Sequence, residues 1–273
     1  MKLSFSTLAC PGWTMPQIIA RAARYGYDGI ELRFVEGEDS LWKLPALSGT
    51  ALASTSRALA DHSLTISCLD TSCRFHSPDD EERRRWLDEG ERMSDLASAL
   101  NAPGLRVFGD TIQPGADRCL TRKWVADSIQ RLAEITAPKG VEVWIENHGD
   151  FASARETADI FAQAACPRAG VVWDPANSFV AIQERPTEGA SILGAAIRHV
   201  HIKDVRRDGN GWKHVLTGEG DFPLVELQRV LERLRYDRFL SFEWEKKWHP
   251  EIADAEVALP HFVSWFRKSS RHA

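Results

Sequence analysis

Apolar residues along this chain follow two alternating periods. Short runs rich in Val, Ile, Leu and Phe recur at Lys2–Thr7, Gly29–Phe34, Leu64–Leu69, Leu105–Phe108, Val141–Glu146, Gly170–Trp173, His199–Ile202 and Phe239–Phe242. Several are continuous rather than alternating, as parallel strands covered outside by helices require. Between them the period lengthens to that of an amphipathic helix. Residues 15–25 place Ile18, Ile19 and Ala22 on one side, and residues 79–100 repeat Trp86, Met93 and Leu100 at seven-residue spacing. Residues 223–235 carry Leu224, Leu227, Leu231 and Leu234, and residues 121–137, 153–165 and 253–268 follow the same pattern. Pro260 is expected to kink or break the last of these. Residues 176–196, interrupted by Pro186 and Gly189, fit neither period.

Eight strand-then-helix cycles with no Gly/Ser linker predict an α/β fold, a (β/α)8 barrel with residues 1–273 as a single domain. The alternative, an open doubly wound sheet, usually carries GxGxxG after its first strand; Ala9-Cys10-Pro11-Gly12-Trp13 stands there instead. Lys plus Arg is 34 against 39 Asp plus Glu, a net charge of −5. No global field then favours nucleic acid or an anionic membrane, so neither is expected as a partner. The five cysteines are odd in number, scattered and free of any CxxC, which predicts reduced thiols and a cytoplasmic protein. The N-terminal stretch before Pro11-Gly12 is too short and too rich in Ser and Thr for a signal segment, and no apolar run reaches the roughly 18 residues of a membrane span. Assembly into a homo-oligomer is left open.

The chemistry lies where strands end, because barrel active sites are built there. The fifth apolar run ends in Glu146-Asn147-His148, the sixth in Asp174-Pro175-Ala176-Asn177, and the eighth in Glu243-Trp244-Glu245. The seventh reads His199-Val200-His201-Ile202-Lys203-Asp204. Four consecutive strands thus each bring one metal-competent side chain to one rim: Glu146, Asp174, His201 and Glu243. Any one of these alone is an ordinary cap, ion-pair partner or core histidine. Together they crowd three negative charges, and a divalent cation relieves that repulsion. Oxygen-rich ligation with one nitrogen suits Mn²⁺ first, with Mg²⁺, Co²⁺ or Zn²⁺ as alternatives.

The segments Gly29-Ile30-Glu31-Leu32, Ile145-Glu146-Asn147-His148, Trp173-Asp174-Pro175-Ala176-Asn177, His199 to Asp204, Gly218-Glu219-Gly220-Asp221 and Ser241-Phe242-Glu243 resemble, in matching order, the xylose isomerase-like TIM barrels. That superfamily includes sugar phosphate isomerases/epimerases, ketose 3-epimerases, inosose isomerases and dehydratases, and the endonuclease IV branch. The resemblance implies one divalent ion on the four residues above. It also implies that Glu146 and Glu243 move protons at a carbon beside a carbonyl, and that His148 and Lys203 touch oxygens of a small sugar-like substrate. Asn177 stands where related proteins often place a histidine, which leaves it a polar substrate contact. The endonuclease IV branch needs extra histidines, and this chain has Leu69-Asp70, Phe108-Gly109 and Asn177 at those places. An isomerase or epimerase is the leading expectation, and a dehydratase with the same first step the alternative.

Lesser candidates surround this set. Glu31 ends the second strand and is expected to bind a substrate hydroxyl or to form an ion pair. Arg106 is expected to pair with Glu146 or to contact substrate. Trp13, Trp244 and Trp248 offer flat faces for a sugar-binding wall, or core. The glycine-rich stretch from Asp204 to Phe222 suits a lid, and its Arg206 is a candidate for a substrate phosphate or carboxylate.

Overall fold

The eight apolar runs close into a parallel barrel in the computed structural model, which describes residues 1–269. Residues 270–273, counted in the single domain expected from sequence, lie outside the described residues. The first seven barrel strands are β1 (Lys2–Ser6), β2 (Gly29–Leu32), β3 (Thr65–Arg74), β4 (Gly104–Phe108), β5 (Glu142–Glu146), β6 (Ala169–Trp173) and β7 (Ile197–Ile202). Two strands outside the barrel follow, β8 (Asp204–Asp208) and β9 (Gly211–Val215), and then β10 (Phe239–Phe242). β10 pairs with β7 on one side and β1 on the other, which closes the ring and leaves no free edge.

Helices pack outside this ring: α1 (Met15–Tyr25), α2 (Gly49–Asp61), α3 (Asp80–Ala99), α4 (Arg118–Thr136), α5 (Ala154–Ala164), α6 (Pro175–Ile182), α7 (Pro186–Leu193), α8 (Leu224–Arg233) and α9 (Ala255–Ser269). The main core lies between strands and helices. Inside the barrel a separate apolar group, Cys68, Trp144 and Val172, forms a floor, and the Trp144 indole stacks on His199 at 6.0 Å. Two glycines make room for that indole. A Cβ on Gly104 would lie 2.4 Å from Trp144 Cε2, and one on Gly170 would lie 2.9 Å from Cδ1.

The structure differs from the sequence pattern in several places. Helix α2 carried no periodic signal because it is rich in Ala, Ser and Thr and buries only Thr55 and Leu59. The ambiguous residues 176–196 divide into α6 and α7, with Gln183 left-handed (φ 59°) at the end of the first. Helix α9 runs on through Pro260 instead of breaking, held by Leu259 and Phe262, which are fully buried; Phe262 stacks on Phe242 at 4.7 Å. The stretch expected as an open lid loop is largely an antiparallel hairpin of β8 and β9. Asp204 Oδ2 accepts from the Gly218 and Gly220 amides at 2.8 and 2.9 Å, and Asp221 accepts from the Arg207 amide at 2.8 Å, which pins the returning chain. Among the described residues no helix is long and apolar enough to cross a membrane.

Gly104→Ala should therefore destabilise the protein by about 1–3 kcal/mol through overpacking against Trp144. Urea unfolding checks this; an unchanged midpoint would mean the barrel floor yields freely.

Candidate functional site

Glu146 is the last residue of β5, Asp174 follows β6, His201 is the penultimate residue of β7, and Glu243 follows β10. All four are buried. Asp174 also caps α6, its Oδ1 accepting from the Asn177 amide at 2.9 Å, so its second oxygen is left for other work. His201 Nδ1 stands 3.4 Å from Glu243 Oε1, 3.7 Å from Glu146 Oε1 and 3.8 Å from Asp174 Oδ2. None of these approaches is a hydrogen bond. His201 Nδ1 has no hydrogen-bond partner, and Asp174 Oδ2 meets only the Lys203 ammonium, at 2.8 Å. One ligand atom from each of the four residues lies within 4.8 Å of the others. Ligands bonded at about 2.0–2.2 Å to one ion sit at comparable spacing from each other. Three carboxylates and one imidazole with an unpartnered nitrogen thus fit a divalent cation.

A second layer fixes this set. Glu31 is fully buried on β2, with Oε1 3.1 Å from His201 Nε2 and its other oxygen paired with His199. It does not line the cavity described below, so the expected substrate contact is corrected: Glu31 forms the ion pair instead, and it turns His201 Nδ1 toward the three carboxylates. Burial works against the charge on Glu31, yet the two imidazoles hold its carboxyl well below the usual range. Burial likewise works against a charged His201, but Glu31, Glu243 and Glu146 together raise it well above an ordinary histidine. Arg106 pairs with Glu146 through Nε at 3.3 Å and with Asp70 through Nη2 at 3.2 Å. Asn147, quoted in the sequence motif but given no role there, ties two strand ends together. Its Nδ2 donates to the Asp174 and Ala152 carbonyls at 2.6 and 3.0 Å, and its Oδ1 accepts from the Asp174 amide at 2.6 Å.

Above the cluster opens a cavity of about 370 Å³, lined by Glu146, Glu243, Lys203, His148 and Trp248 together with Arg33, Ser72, Arg74, Arg106, Phe108 and Asp110 among others. A larger hollow of about 550 Å³ beside α8 contains none of the four clustered residues. Lys203 is buried, with Nζ 2.6 Å from Glu243, 2.6 Å from Glu245 and 2.8 Å from Asp174. Burial opposes its charge, but those carboxylates keep it firmly protonated. Burial pushes the Asp174 carboxyl up to about 6 despite Lys203. His148 lies on the cavity wall with Nδ1 3.6 Å from Asp110, and that contact raises its imidazole against the effect of burial. Asn177 donates to Glu146 Oε1 at 3.2 Å and lines an adjoining pocket shared with His148 and Lys203.

Arg206 is placed elsewhere. It is exposed on the hairpin, where Nη1 reaches the Glu219 carbonyl at 3.5 Å, and it lines neither pocket. Of the three tryptophans only Trp248 joins the cavity wall; Trp244 is core, donating to the Ala253 carbonyl at 2.8 Å, and Trp13 packs on Arg21. Sequence reasoning missed Arg33, Ser72, Arg74, Asp110 and Glu245. Arg33 directly follows the Glu31-Leu32 pair and Glu245 lies two residues past Glu243, so proximity to motif residues was the available signal. It also missed His214 and His249, which group with Glu245 beside the cavity.

Residues 19–268 match the xylose isomerase-like TIM barrel family. No curated protein matches the chain in sequence. Solved structures of similar shape include the probable 3-DHS dehydratase AsbF from Bacillus anthracis, 18% identical over 98% of this chain and 99% of that one with a TM-score of 0.81. A D-allulose 3-epimerase from Methylomonas sp. is 18% identical over 98% of each chain with a TM-score of 0.78. The IOLI protein, solved with a bound zinc atom, is 17% identical over 100% of this chain and 97% of that one with a TM-score of 0.79. At such identities the likeness is one of fold.

Replacing Asn147 by Ala strands several buried backbone and side-chain groups at once. The expected cost is about 2 kcal/mol or more, read as a lowered denaturation midpoint. A neutral substitution would show that Asp174 is positioned without this amide.

Proposed function

Since the chain belongs to the xylose isomerase-like TIM barrel family, we propose that it is a divalent-metal-dependent isomerase or epimerase of a small sugar, keto-sugar or inosose, moving a proton at a carbon beside a carbonyl. The observation that carries this reading is the buried cluster of Glu146, Asp174, His201 and Glu243, whose oxygen and nitrogen donor atoms converge under a cavity of substrate size. Those four residues would hold the ion, Mn²⁺ first with Mg²⁺, Co²⁺ or Zn²⁺ as alternatives, and it would supply Lewis-acid polarisation of substrate oxygens.

The chain's own groups account for the proton. Glu146 and Glu243 reach the cavity from β5 and from the end of β10, two strands that are not neighbours in the ring. One carboxylate takes the proton from carbon, leaving an enediolate, and the other returns one from its own side, which inverts the centre. Lys203 and Arg106 keep both glutamates ionised against the cost of burial, so each is ready as a base. The Lys203 ammonium and the His148 imidazole line the same cavity and would meet negative charge developing on substrate oxygens. Asp174 and His201 have ligand roles only. The similarity to a probable dehydratase supports a second reading, a lyase on a keto-sugar or inosose that shares the proton removal and then expels a hydroxyl. The five unpaired cysteines support a reducing, cytoplasmic setting.

Protein loaded with Mn²⁺ should hold one ion per chain at this cluster, and exhaustive chelation should abolish turnover until metal is restored. Turnover in D₂O should place deuterium on the carbon beside the carbonyl. Glu243→Gln, compared at equal metal occupancy, should slow that exchange about a hundredfold, whereas Asp174→Asn should recover at saturating metal. Full activity without metal, or wild-type exchange in Glu243→Gln, would remove the two-carboxylate mechanism. An inverted hydroxyl centre in the product identifies an epimerase, a moved carbonyl an isomerase, and loss of water a lyase.

A further inference from the structure

Three guanidiniums from adjacent strands line the same cavity. Arg33 follows β2, Arg74 ends β3 and Arg106 lies within β4. The Arg33 residue is only 7% exposed and Arg106 only 2%. Arg33 Nη2 donates to Ser72 Oγ at 2.8 Å, but Nη1 has no hydrogen bond and stands 3.6 Å from Asp39. Arg106 Nη2 and Nε form ion pairs with Asp70 at 3.2 Å and Glu146 at 3.3 Å, and neither Nε nor Nη1 makes a hydrogen bond. A buried guanidinium N–H without an acceptor loses its hydration and gains nothing in return. Such groups, on two like-charged residues bordering one cavity, call for an anion.

We propose that the substrate carries a carboxylate, and that Arg33 and Arg106 bind it on the β2–β4 side of the barrel mouth. The inference rests on the cavity being the substrate site. Planar guanidinium forks match a planar carboxylate, and each bond is charge-assisted. On the β2–β4 side of the lining Arg33, Arg74 and Arg106 stand with Asp39 and Asp110, while Lys203 on the other side is taken up by Asp174, Glu243 and Glu245. Burial, followed by the repulsion of Arg106, pulls the Arg33 guanidinium down to about 10, and an added carboxylate relieves that repulsion. The faces of both guanidiniums are packed on rings, Arg33 on Phe34 at 4.5 Å and Arg106 on Phe108 at 3.9 Å, which holds their forks in place. Arg74 is more exposed and pairs with Asp110 at 3.2 Å, which puts it at the rim. A neutral ketose would offer the two Nη1 groups hydroxyl acceptors but no countercharge.

The test is calorimetric binding to the Mn²⁺-loaded full chain of three ketoses sharing one skeleton: D-fructose, D-fructuronate and D-fructose 6-phosphate, ending in hydroxymethyl, carboxylate and phosphate. D-Fructuronate should bind at least about tenfold tighter than D-fructose and tighter than the phosphate. Arg33→Gln should cut the preference over D-fructose to less than about threefold, with metal stoichiometry unchanged. If that variant does not fold, the wild-type ranking decides by itself. Equal affinity for D-fructose and D-fructuronate, preference for the phosphate, or an unchanged preference in Arg33→Gln would overturn the assignment. Those outcomes leave the proposed function standing. Failure of all three ketoses to bind a metal-loaded protein would remove the keto-sugar reading, and this inference with it.

Discussion

Three carboxylates buried around one imidazole repel each other and have given up their hydration, so they need positive charge from somewhere. The structure meets that need at several depths. Lys203 sits between Asp174, Glu243 and Glu245, Arg106 faces Glu146, and Glu31 draws the far side of His201 away from the cluster. What these contacts leave unsatisfied is as telling as what they satisfy: His201 Nδ1 remains without a hydrogen bond at the centre, facing carboxylate oxygens 3.4, 3.7 and 3.8 Å away. A site built only for ion pairs would have closed that gap.

The barrel is what makes this crowding affordable. Each ligand-competent side chain stands at the end of a strand whose backbone bonds are already made on both sides, so none depends on a loop for its position. Asn147 ties the ends of β5 and β6 together, and the stack of Trp144 on His199 supports the layer beneath. The Glu31 pairing with His199 and His201 joins the second strand to the seventh across the barrel interior. Stability and site geometry therefore rest on the same few residues.

The barrel and its four central side chains were legible in the sequence because both rest on short-range signals: apolar runs, and a charged or imidazole residue at their ends. What stayed hidden depended on contacts far apart in the chain. Glu31 meets His199 and His201 only once the ring closes, so nothing near it in sequence chose between ion pair and substrate contact. The third strand was read as stopping at Leu69, whereas β3 continues to Arg74. Residues 70–74 are polar or small because several border the cavity, and that same polarity erased the strand signal along with Ser72 and Arg74. The hairpin in place of a loop stayed hidden for a related reason: glycines that suggest freedom here allow close approach, since a Cβ on Gly220 would lie 2.1 Å from Asp204 Oδ1. Arg206 was singled out from that stretch by charge alone, and its exposed position on the hairpin removes it from the cavity.

The account's central claim is that the ion sits on one imidazole and three carboxylates. Two neighbouring groups, Glu31 with His199 and His201, and Glu245 with His214 and His249, would each offer two imidazoles instead. Pulsed electron paramagnetic resonance of the Mn²⁺-loaded protein counts directly coordinated imidazole nitrogens, and histidine-selective ¹⁵N labelling assigns them. The account predicts a single coordinated histidine nitrogen in an otherwise oxygen-ligated ion, lost in His201→Ala and retained in His214→Ala. Two coordinated nitrogens, or a signal that survives His201→Ala, would contradict it.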